Sequence, residues 1–447
     1  MLDFKDLVDH FQQSGLLNHI EKEVTTHLEL ASIISGIGPA PVIFTNISDH
    51  EFPVVANVFS SRKSFSMAHA GKHQSHEGEG ESVLPATNPD SFIHRLQHAI
   101  KNCKAPSILD ENSEVSCQEI IHTEPDLDKL PILKHVEEDG GRYITSGVAI
   151  YTCPRYGGNM SFHRMMIIDD GKMVARVVEN RGLDTALKES GGELEVAIAI
   201  GNAPQVMIAA STSPPKGVDE LSIANALSPI ELVKCKTIDV MVPAGSEIII
   251  EGHFTGETAD EGPFLDLTGT LDIIRNQPVF EVTCMTHRRN PMYHALLPAS
   301  KEHELLMGLP REATMARELG KHPGFRDVRL TDGSAHWFNA VVQFEGGRNL
   351  DPEEIFKSTF LGHGSLKNCI IIDDDIEIAD PLDVEFAITT RCQFTEDLYL
   401  FPNERGSSLD PSANQVTRET CKVGIDATIP RGKDRQAFMK KRLGRER

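Results

Sequence analysis

The sequence predicts a multidomain α+β protein in three parts: an N-terminal α/β domain over 1–105, a β-rich core over 106–298, and a C-terminal α/β domain over 299–447. Three observations predict it. At 447 residues the chain is too long for one hydrophobic core. Its apolar pattern changes character twice, near 105 and near 298. Between those points many short apolar runs are broken at regular intervals by turn residues, the pattern of a barrel or sandwich. The composition, 40% hydrophobic and 25% charged, is ordinary for a globular chain.

In the first part, residues 3–35 read as helix, short strand, helix, with Leu7, Val8 and Phe11 at helical spacing. PVIFTNI (41–47) and FPVVANVF (52–59) read as buried strands. The polar stretch 71–82 reads as an exposed loop, and its His73 and His76 as solvated rather than as metal ligands. Helix resumes over 90–102. In the middle part YITSGVAIYT, NMSFHRMMII, MVARVV, LEVAIAIG, QVMIAAST, TIDVMV, EIIIEGHF, TLDIIR and VFEVTCMTH all read as β-rich runs. In the last part LLMGLPREATMAREL reads as helix. FNAVVQF and NCIIIDDDI read as strands, with the Gly-rich link LGHGSLK before the second. VEFAITTR reads as amphipathic helix, and the basic tail 430–447 as a terminal helix or frayed end. No internal repeat is visible.

Composition excludes whole function classes. The net charge is −22, with 66 acidic against 44 basic residues. Nucleic acid and anionic membrane are both bound through basic surface, so neither is an expected partner. A small anionic substrate needs only one local basic pocket. The eight cysteines are scattered and form no CxxC, which predicts reduced thiols in a cytoplasmic protein rather than a zinc site or a disulfide framework. Residues 1–15 lack the basic and apolar regions of a signal peptide, and no run approaches 18 apolar residues, so no membrane span is expected.

Three segments concentrate reactive side chains. In the first, Asn159 to Arg164, strand alternation puts Asn159, Ser161 and His163 on one face and Arg164 on the other, unless a bulge or strand end intervenes. Alone, Arg164 reads as a surface ion-pair residue. The second runs from Ser211 to Glu220. It reads as a strand end, a loop, and a helix starting near Glu220; the hydroxyls of Ser211 and Thr212 and the backbone N–H groups suit a phosphate. Asp219 and Glu220 read equally well as helix N-terminal acids. The third, Asp260 to Asp266, sets two carboxylates about a Gly-Pro turn. Two close carboxylates cannot both ionise cheaply, so one becomes a proton donor while a neighbouring Arg keeps the other charged. Read alone, the segment is also compatible with an acidic solvated turn.

Asn159-xxxx-Arg164, the Glu220 helix start, Glu231-Leu-Val-Lys-Cys, Val242-Pro-Ala with Glu247 and Glu251-Gly, and Glu261-Gly-Pro-Phe-x-Asp266 stand in the order found in UbiD-type decarboxylases. Ile388-Thr-Thr-Arg391 and Lys422-Val-Gly-Ile-Asp-Ala-Thr428 continue it, so the chain resembles that family over its length. The resemblance implies a central flavin-reductase-like split β-barrel between the two α/β domains. It implies prenylated FMN, a divalent metal (Mn2+ or Mg2+) on the cofactor phosphate, and K+. Carried over, Arg164, Glu261 and Asp266 form the catalytic set, and Asn159, Asn180 and Glu220 the metal ligands. Ser161, His163, Ser211, Thr212 and Lys422 join Arg164 and the metal ligands around the cofactor. Two departures stand out: Asp266 replaces the Glu of many members, and Asn180 occupies the place of the usual metal-binding His.

Loss of CO2 from an sp2 carbon needs an electron sink that no side chain provides. The resemblance implies the prenylated flavin as that sink, Glu261 as proton donor, Arg164 as binder of the substrate carboxylate or tuner of Glu261, and Asp266 as the group that holds Arg164. His303 and Arg311 read either as helix surface or as contacts to a second anionic group. The expected reaction is a reversible, non-oxidative decarboxylation of an α,β-unsaturated or heteroaromatic acid resembling furan-2,5-dicarboxylate. The alternatives are the anhydromevalonate phosphate decarboxylase branch and a non-catalytic flavin-binding subunit. No GxGxxG supports a nicotinamide-dependent reductase. The implied partners are a flavin prenyltransferase that supplies the cofactor, and a second copy or more in a homodimer or higher homo-oligomer.

Overall fold

The computed structural model describes residues 3–66, 85–88, 91–110, 113–347, 349 and 351–441. His73 and His76 lie outside them. The chain divides into two compact units: one of 1–82 and 98–306, the other of 83–97 and 307–447.

In the first unit, helix Phe4–Gln13 starts at Asp3, whose side chain accepts from the Asp6 N–H while Asp6 caps in return. Phe4, Leu7, Val8 and Phe11 form its buried stripe, as their spacing predicts. Strand Asn18–Ile20 and helix Glu29–Ile37 follow. A four-stranded sheet runs Asn18–Ile20, Val42–Phe44, Val54–Ala56, Tyr293–His294, so residues far apart in sequence complete it.

The centre of this unit is a nine-stranded sheet. Its path runs Tyr143–Ile144, Met165–Ile167, Lys172–Ala175, Arg275–His287, Ile248–Glu261, Glu193–Ile200, Val148–Cys153 and Gly157–Phe162, with Ile120–His122 pairing Arg275–His287. Every pairing within it is antiparallel. The two longest strands, Ile248–Glu261 and Arg275–His287, are bent by irregularities at Glu251/Gly252 and between Phe254 and Thr258. Only glycine fits at 252, because a Cβ there would lie 2.1 Å from the Glu281 carbonyl oxygen. Ile198, Ile200, Ile248, Ile250, Phe254 and Phe280 fill the core against this sheet.

One expectation fails in kind. The run 205–212 is no strand: Pro204–Ala210 is an α-helix with Pro204 at its first position. All seven of its residues are buried, so no polar face marks its period. A short apolar run buried all round carries no signal that separates helix from strand.

In the second unit a five-stranded sheet runs Phe325–Leu330, Asn339–Phe344, Asn368–Asp373, Glu419–Asp426, Leu398–Arg405. Helices Pro352–Gly362 and Pro381–Arg391 are capped by Asp351 and Asp380, each followed by a proline at the first helical position. Val341, Ile370, Ile372, Val384 and Ala387 share its core. Among its described residues the basic tail forms no long helix. Arg435 begins a single 3₁₀ turn and pairs with Asp374, while Lys440 pairs with Asp383. The multidomain α+β architecture is therefore the one the sequence predicts.

Candidate functional site

The apparent conflict over Arg164 resolves at a strand end. Gly157–Phe162 stops before His163, and the next strand starts at Met165. His163 and Arg164 occupy the gap, where alternation no longer holds. His163 donates from Nδ1 to the Arg176 carbonyl at 3.0 Å and accepts the Ser161 hydroxyl at 3.0 Å through Nε2. Burial pushes its imidazole below the usual range, so it sits there neutral.

Strand Ile248–Glu261 delivers Glu261, fully buried, at its last position. The chain then turns through Gly262 (φ 104°) and the cis peptide to Pro263, and Gly140 N–H donates to the Pro263 carbonyl at 2.8 Å. A short hairpin follows, in which Phe264 pairs with Asp272 and Leu265 with Leu271. This turn brings three acids to one guanidinium. Arg164 donates from Nε to Glu261 Oε1 at 2.8 Å and from Nη2 to Glu261 Oε2 at 2.9 Å, a bidentate fork. Its Nη1 donates to Asp266 at 2.6 Å, and its Nη2 also to Asp272 at 2.9 Å. The Phe264 ring lies 4.5 Å from the guanidinium carbon, and the Tyr143 hydroxyl donates to Glu261 Oε1 at 3.3 Å. Burial, with the Glu261 charge beside it, holds the Tyr143 phenol above its usual range, so it stays a donor. Burial opposes the Arg164 charge, but hydrogen bonds and charge from the acids outweigh it and hold the guanidinium above its usual range.

Glu261 and Asp266 do not face each other bare; Arg164 bonds to both. Sequence reasoning missed Asp272 and Tyr143. The spacing Asp272-x-x-Arg275 was the available signal for Asp272, since the two pair at 2.6 Å.

A second group gathers about Asn159. Glu220 opens helix Glu220–Leu227 after the N-cap Asp219. Its carboxylate is 5% exposed, accepts the Met160 N–H at 2.9 Å, and has no ion-pair partner among the described residues. Burial pushes it up to about 8. Asn159 Oδ1 accepts the Tyr151 hydroxyl at 2.5 Å. A Cβ at Gly182 would fall 2.8 Å from Asn159 Oδ1, so the backbone just after Asn180 lies against that amide. Asn180 is exposed, has φ 63°, and donates its N–H to Asp184 at 2.7 Å. No cluster of three or more His, Cys, Asp or Glu suited to a metal exists among the described residues. The Asn159 amide oxygen and the buried Glu220 carboxylate, whose residue neighbours Asn159 through the Met160 N–H, are hard oxygen donors. They fit a divalent ion that keeps several ligands from water or phosphate.

The remaining candidates scatter. Ser211 and Thr212 follow a helix, not a strand, and their hydroxyls donate back to the Ile208 and Ala209 carbonyls at 2.8 and 2.7 Å. Those protons are therefore not offered to a phosphate. His303 accepts the Ala299 N–H at Nδ1 at 3.3 Å, which leaves its Nε2 as the donor. It lies within charge range of Asp266 and Arg164, and burial, with Arg164, pushes it below its usual range against the pull of Asp266. Arg311 and Lys422 belong to the second unit. The Arg311 guanidinium lies 5.7 Å from the Trp337 ring. Lys422 is 3% exposed, donates to the Gly364 carbonyl at 2.7 Å, and is pushed down by burial. Beside His303, the fully buried Glu302 accepts from Asn57 N–H at 2.8 Å, Phe59 N–H at 3.0 Å and His294 Nε2 at 3.0 Å; it too escaped the sequence reading.

Three family models match the chain. They describe the N-terminal, Rift-related and C-terminal domains of 3-octaprenyl-4-hydroxybenzoate carboxy-lyase, at residues 8–77, 109–301 and 304–427. Among curated relatives, an anhydromevalonate phosphate decarboxylase of Methanothermobacter thermautotrophicus is 36% identical, covering 95% of this chain and 96% of that protein. One of the same name from Methanosarcina mazei is 38% identical, covering 96% of each. The UbiD-class enzyme HmfF from Pelotomaculum thermopropionicum, solved in complex with FMN, superposes with a TM-score of 0.91 at 31% identity over 99% of this chain and 97% of that one. An evolved dimeric form of HmfF is solved with prenylated FMN (TM-score 0.86, 31% identity, 97% and 96% covered). With its three domains matched in order along one chain, the protein belongs to the UbiD family of carboxy-lyases.

Proposed function

We propose that the chain decarboxylates anhydromevalonate phosphate with prenylated FMN bound. The observation that carries the chemistry is the bidentate fork from Arg164 to the buried Glu261, closed by Asp266 and Asp272. The substrate follows from the curated relatives, which bear that activity in their names and cover this chain almost end to end. The sequence reading put a heteroaromatic or unsaturated diacid first and this branch second; the relatives reverse the order. Prenylated FMN, which HmfF binds, would supply the electron sink that a departing CO2 requires.

The chain's own residues take the other roles. Glu261 delivers a proton to the carbon that lost CO2, and Tyr143 and Arg164 fix its carboxyl in place. Asp266 holds Arg164. Glu220, Asn159 and Asn180 would hold a divalent metal, Mn2+ or Mg2+, that would neutralise cofactor charge, with K+ as a second ion. Ser161, His163, Ser211 and Thr212 would line the cofactor. His303 takes the second anionic group of the substrate. A flavin prenyltransferase supplies the cofactor, and the working form is a homodimer or higher oligomer.

Co-expression with a flavin prenyltransferase, followed by cofactor mass and CO2 release, tests the proposal. The expected result is bound prenylated FMN and turnover of anhydromevalonate phosphate in preference to furan-2,5-dicarboxylate. Glu261→Gln should lose about 10²–10⁴-fold in kcat, the worth of a positioned proton donor. Preference for the furan diacid would overturn the substrate but leave the mechanism standing. A fully active Glu261→Gln would overturn the mechanism.

A further inference from the structure

We propose that Asp272 is a positioning residue for the decarboxylation, a fourth member of the Arg164–Glu261–Asp266 group that fixes the guanidinium plane and balances its charge. The inference rests on the assignment of Glu261 as proton donor.

Asp272 approaches Arg164 from the opposite side of the hairpin that carries Asp266. Phe264 pairs with Asp272 in that hairpin, while Asp266 follows Leu265 and its N–H donates to the Thr270 carbonyl at 3.0 Å. One two-stranded unit therefore presents both acids to Arg164, at Nη1 and at Nη2. Nη2 is shared: one proton goes to Glu261 and one to Asp272, both at 2.9 Å. Rotation of the guanidinium would break both bonds at once.

Asp272 is itself held. Its Oδ2 takes Arg275 Nη1 at 2.6 Å, its Oδ1 accepts the Ile273 N–H at 3.0 Å, and Arg176 Nε stands 3.9 Å away. Arg275 is the cross-strand neighbour of Glu261. The contacts close a ring: Glu261 to Arg164 to Asp272 to Arg275, and across one strand pair back to Glu261. A surface acid has no such ring, and Asp272 is only 10% exposed at its side chain.

Charge gives a second consequence. Glu261 is faced by Arg164, by Tyr143 from the strand Tyr143–Ile144, and by Arg275 across its own strand pair. Arg164 is faced in turn by Asp266 and Asp272, with His303 of helix Lys301–Leu319 in charge range and Arg176 close to Asp272. Removing the Asp272 charge leaves this surround more positive. A proton donor there releases its proton at lower pH.

The test compares Asp272→Asn, Asp272→Glu and Glu261→Gln in the holoenzyme. Asp272→Asn should lose about 10–100-fold in kcat with KM little changed, the signature of a misplaced catalytic group. The high-pH limb of its kcat profile should move down by about one unit. Asp272→Glu should restore most of the rate. A cofactor-free readout comes from apo protein labelled with 15N-arginine, with Arg164→Lys for assignment: the Arg164 side-chain N–H signals should exchange with solvent faster in Asp272→Asn. Wild-type kcat and pH profile in Asp272→Asn overturn the proposal. So does a loss of rate that tracks melting temperature and flavin content with no movement of the limb, since that is a structural role alone. If Glu261→Gln is fully active, the donor assignment falls and this proposal with it. If Glu261→Gln is dead and Asp272→Asn normal, only this proposal falls.

Discussion

Gly182→Ala isolates the proposed metal site from the stability of the fold. Gly182 is the first residue of helix Gly182–Glu189, exposed and without a left-handed φ, so alanine strains no backbone there. Helix propensity favours alanine by at most about 1 kcal/mol. Against that, the new Cβ would sit 2.8 Å from Asn159 Oδ1 and 2.9 Å from the Tyr151 hydroxyl. Ordinary contact requires about 0.6 Å more, so the amide must swing away and the 2.5 Å Tyr151–Asn159 hydrogen bond breaks. That loss costs about 1 kcal/mol. The two effects nearly cancel, and the melting temperature should move by no more than a few degrees. Metal binding should not be spared. Hard cations hold oxygen ligands within about 2.0–2.6 Å, so a displaced Asn159 oxygen should weaken Mn2+ affinity about 10–100-fold. Calorimetric titration of the FMN-loaded protein with Mn2+, beside a thermal melt, reads both. Unchanged Mn2+ affinity in the folded variant would refute the placement of Asn159 at the metal.

Two further outcomes test the scaffold. In the second unit a Cβ at Gly424 would lie 2.5 Å from the ring of the fully buried Phe356, whose centroid is 5.2 Å from that of Tyr399. Gly424→Ala should therefore cost about 1–3 kcal/mol by overpacking, and an unchanged melt would refute that packing. His122 and His287 stack with Nε2 atoms 3.0 Å apart. Burial first, then for His122 the charge of its neighbour, pushes both below the ordinary 6.5. The unfolded chain thus binds more protons just below pH 6.5. The pair's contribution is complete above that pH and is lost as pH falls through it toward the folded values. Calorimetry from pH 8 to 5 should show melting fall with acid, less steeply in His122→Gln; equal slopes would refute the pair's part in it.

How much of this was legible in the sequence depends on whether a feature is local. The stripe Phe4, Leu7, Val8, Phe11 and its Asp3 cap are set by spacing within one helix, and they appear as read. Arg164, Glu261 and Asp266 were named through the family resemblance, since read alone Arg164 looks like a surface ion-pair residue and the Gly-Pro segment is compatible with a solvated turn; all three nevertheless meet. Asp272 was not, because its place depends on the register Phe264 to Asp272, which no local period encodes. The Arg164 alternation conflict was real in sequence and vanished only because the strand stops at Phe162. The run 205–212 misled for the opposite reason: complete burial erased the polar face that distinguishes a helix. That error carried into Ser211 and Thr212, whose hydroxyls cap helix carbonyls instead of facing outward from a strand end.

The donor count at Arg164 bears on which of its two suggested roles the proposed mechanism can use. A guanidinium has five N–H bonds. Four are committed here, two to Glu261 and one each to Asp266 and Asp272. The one remaining, on Nη1, cannot make the parallel pair that a substrate carboxylate takes from an arginine fork. Capture of the substrate through Arg164 would first have to break an existing charge-assisted bond, whereas tuning and orienting Glu261 breaks none. The local count points the same way: the guanidiniums of Arg164, Arg176 and Arg275 stand against the carboxyls of Glu261, Asp266 and Asp272, three against three. With Glu261 ionised, such a cluster has no surplus cation for a phosphate-bearing acid. On the proposed reading, then, Arg164 serves the proton donor, and the substrate's second anionic group must find its positive charge away from this cluster.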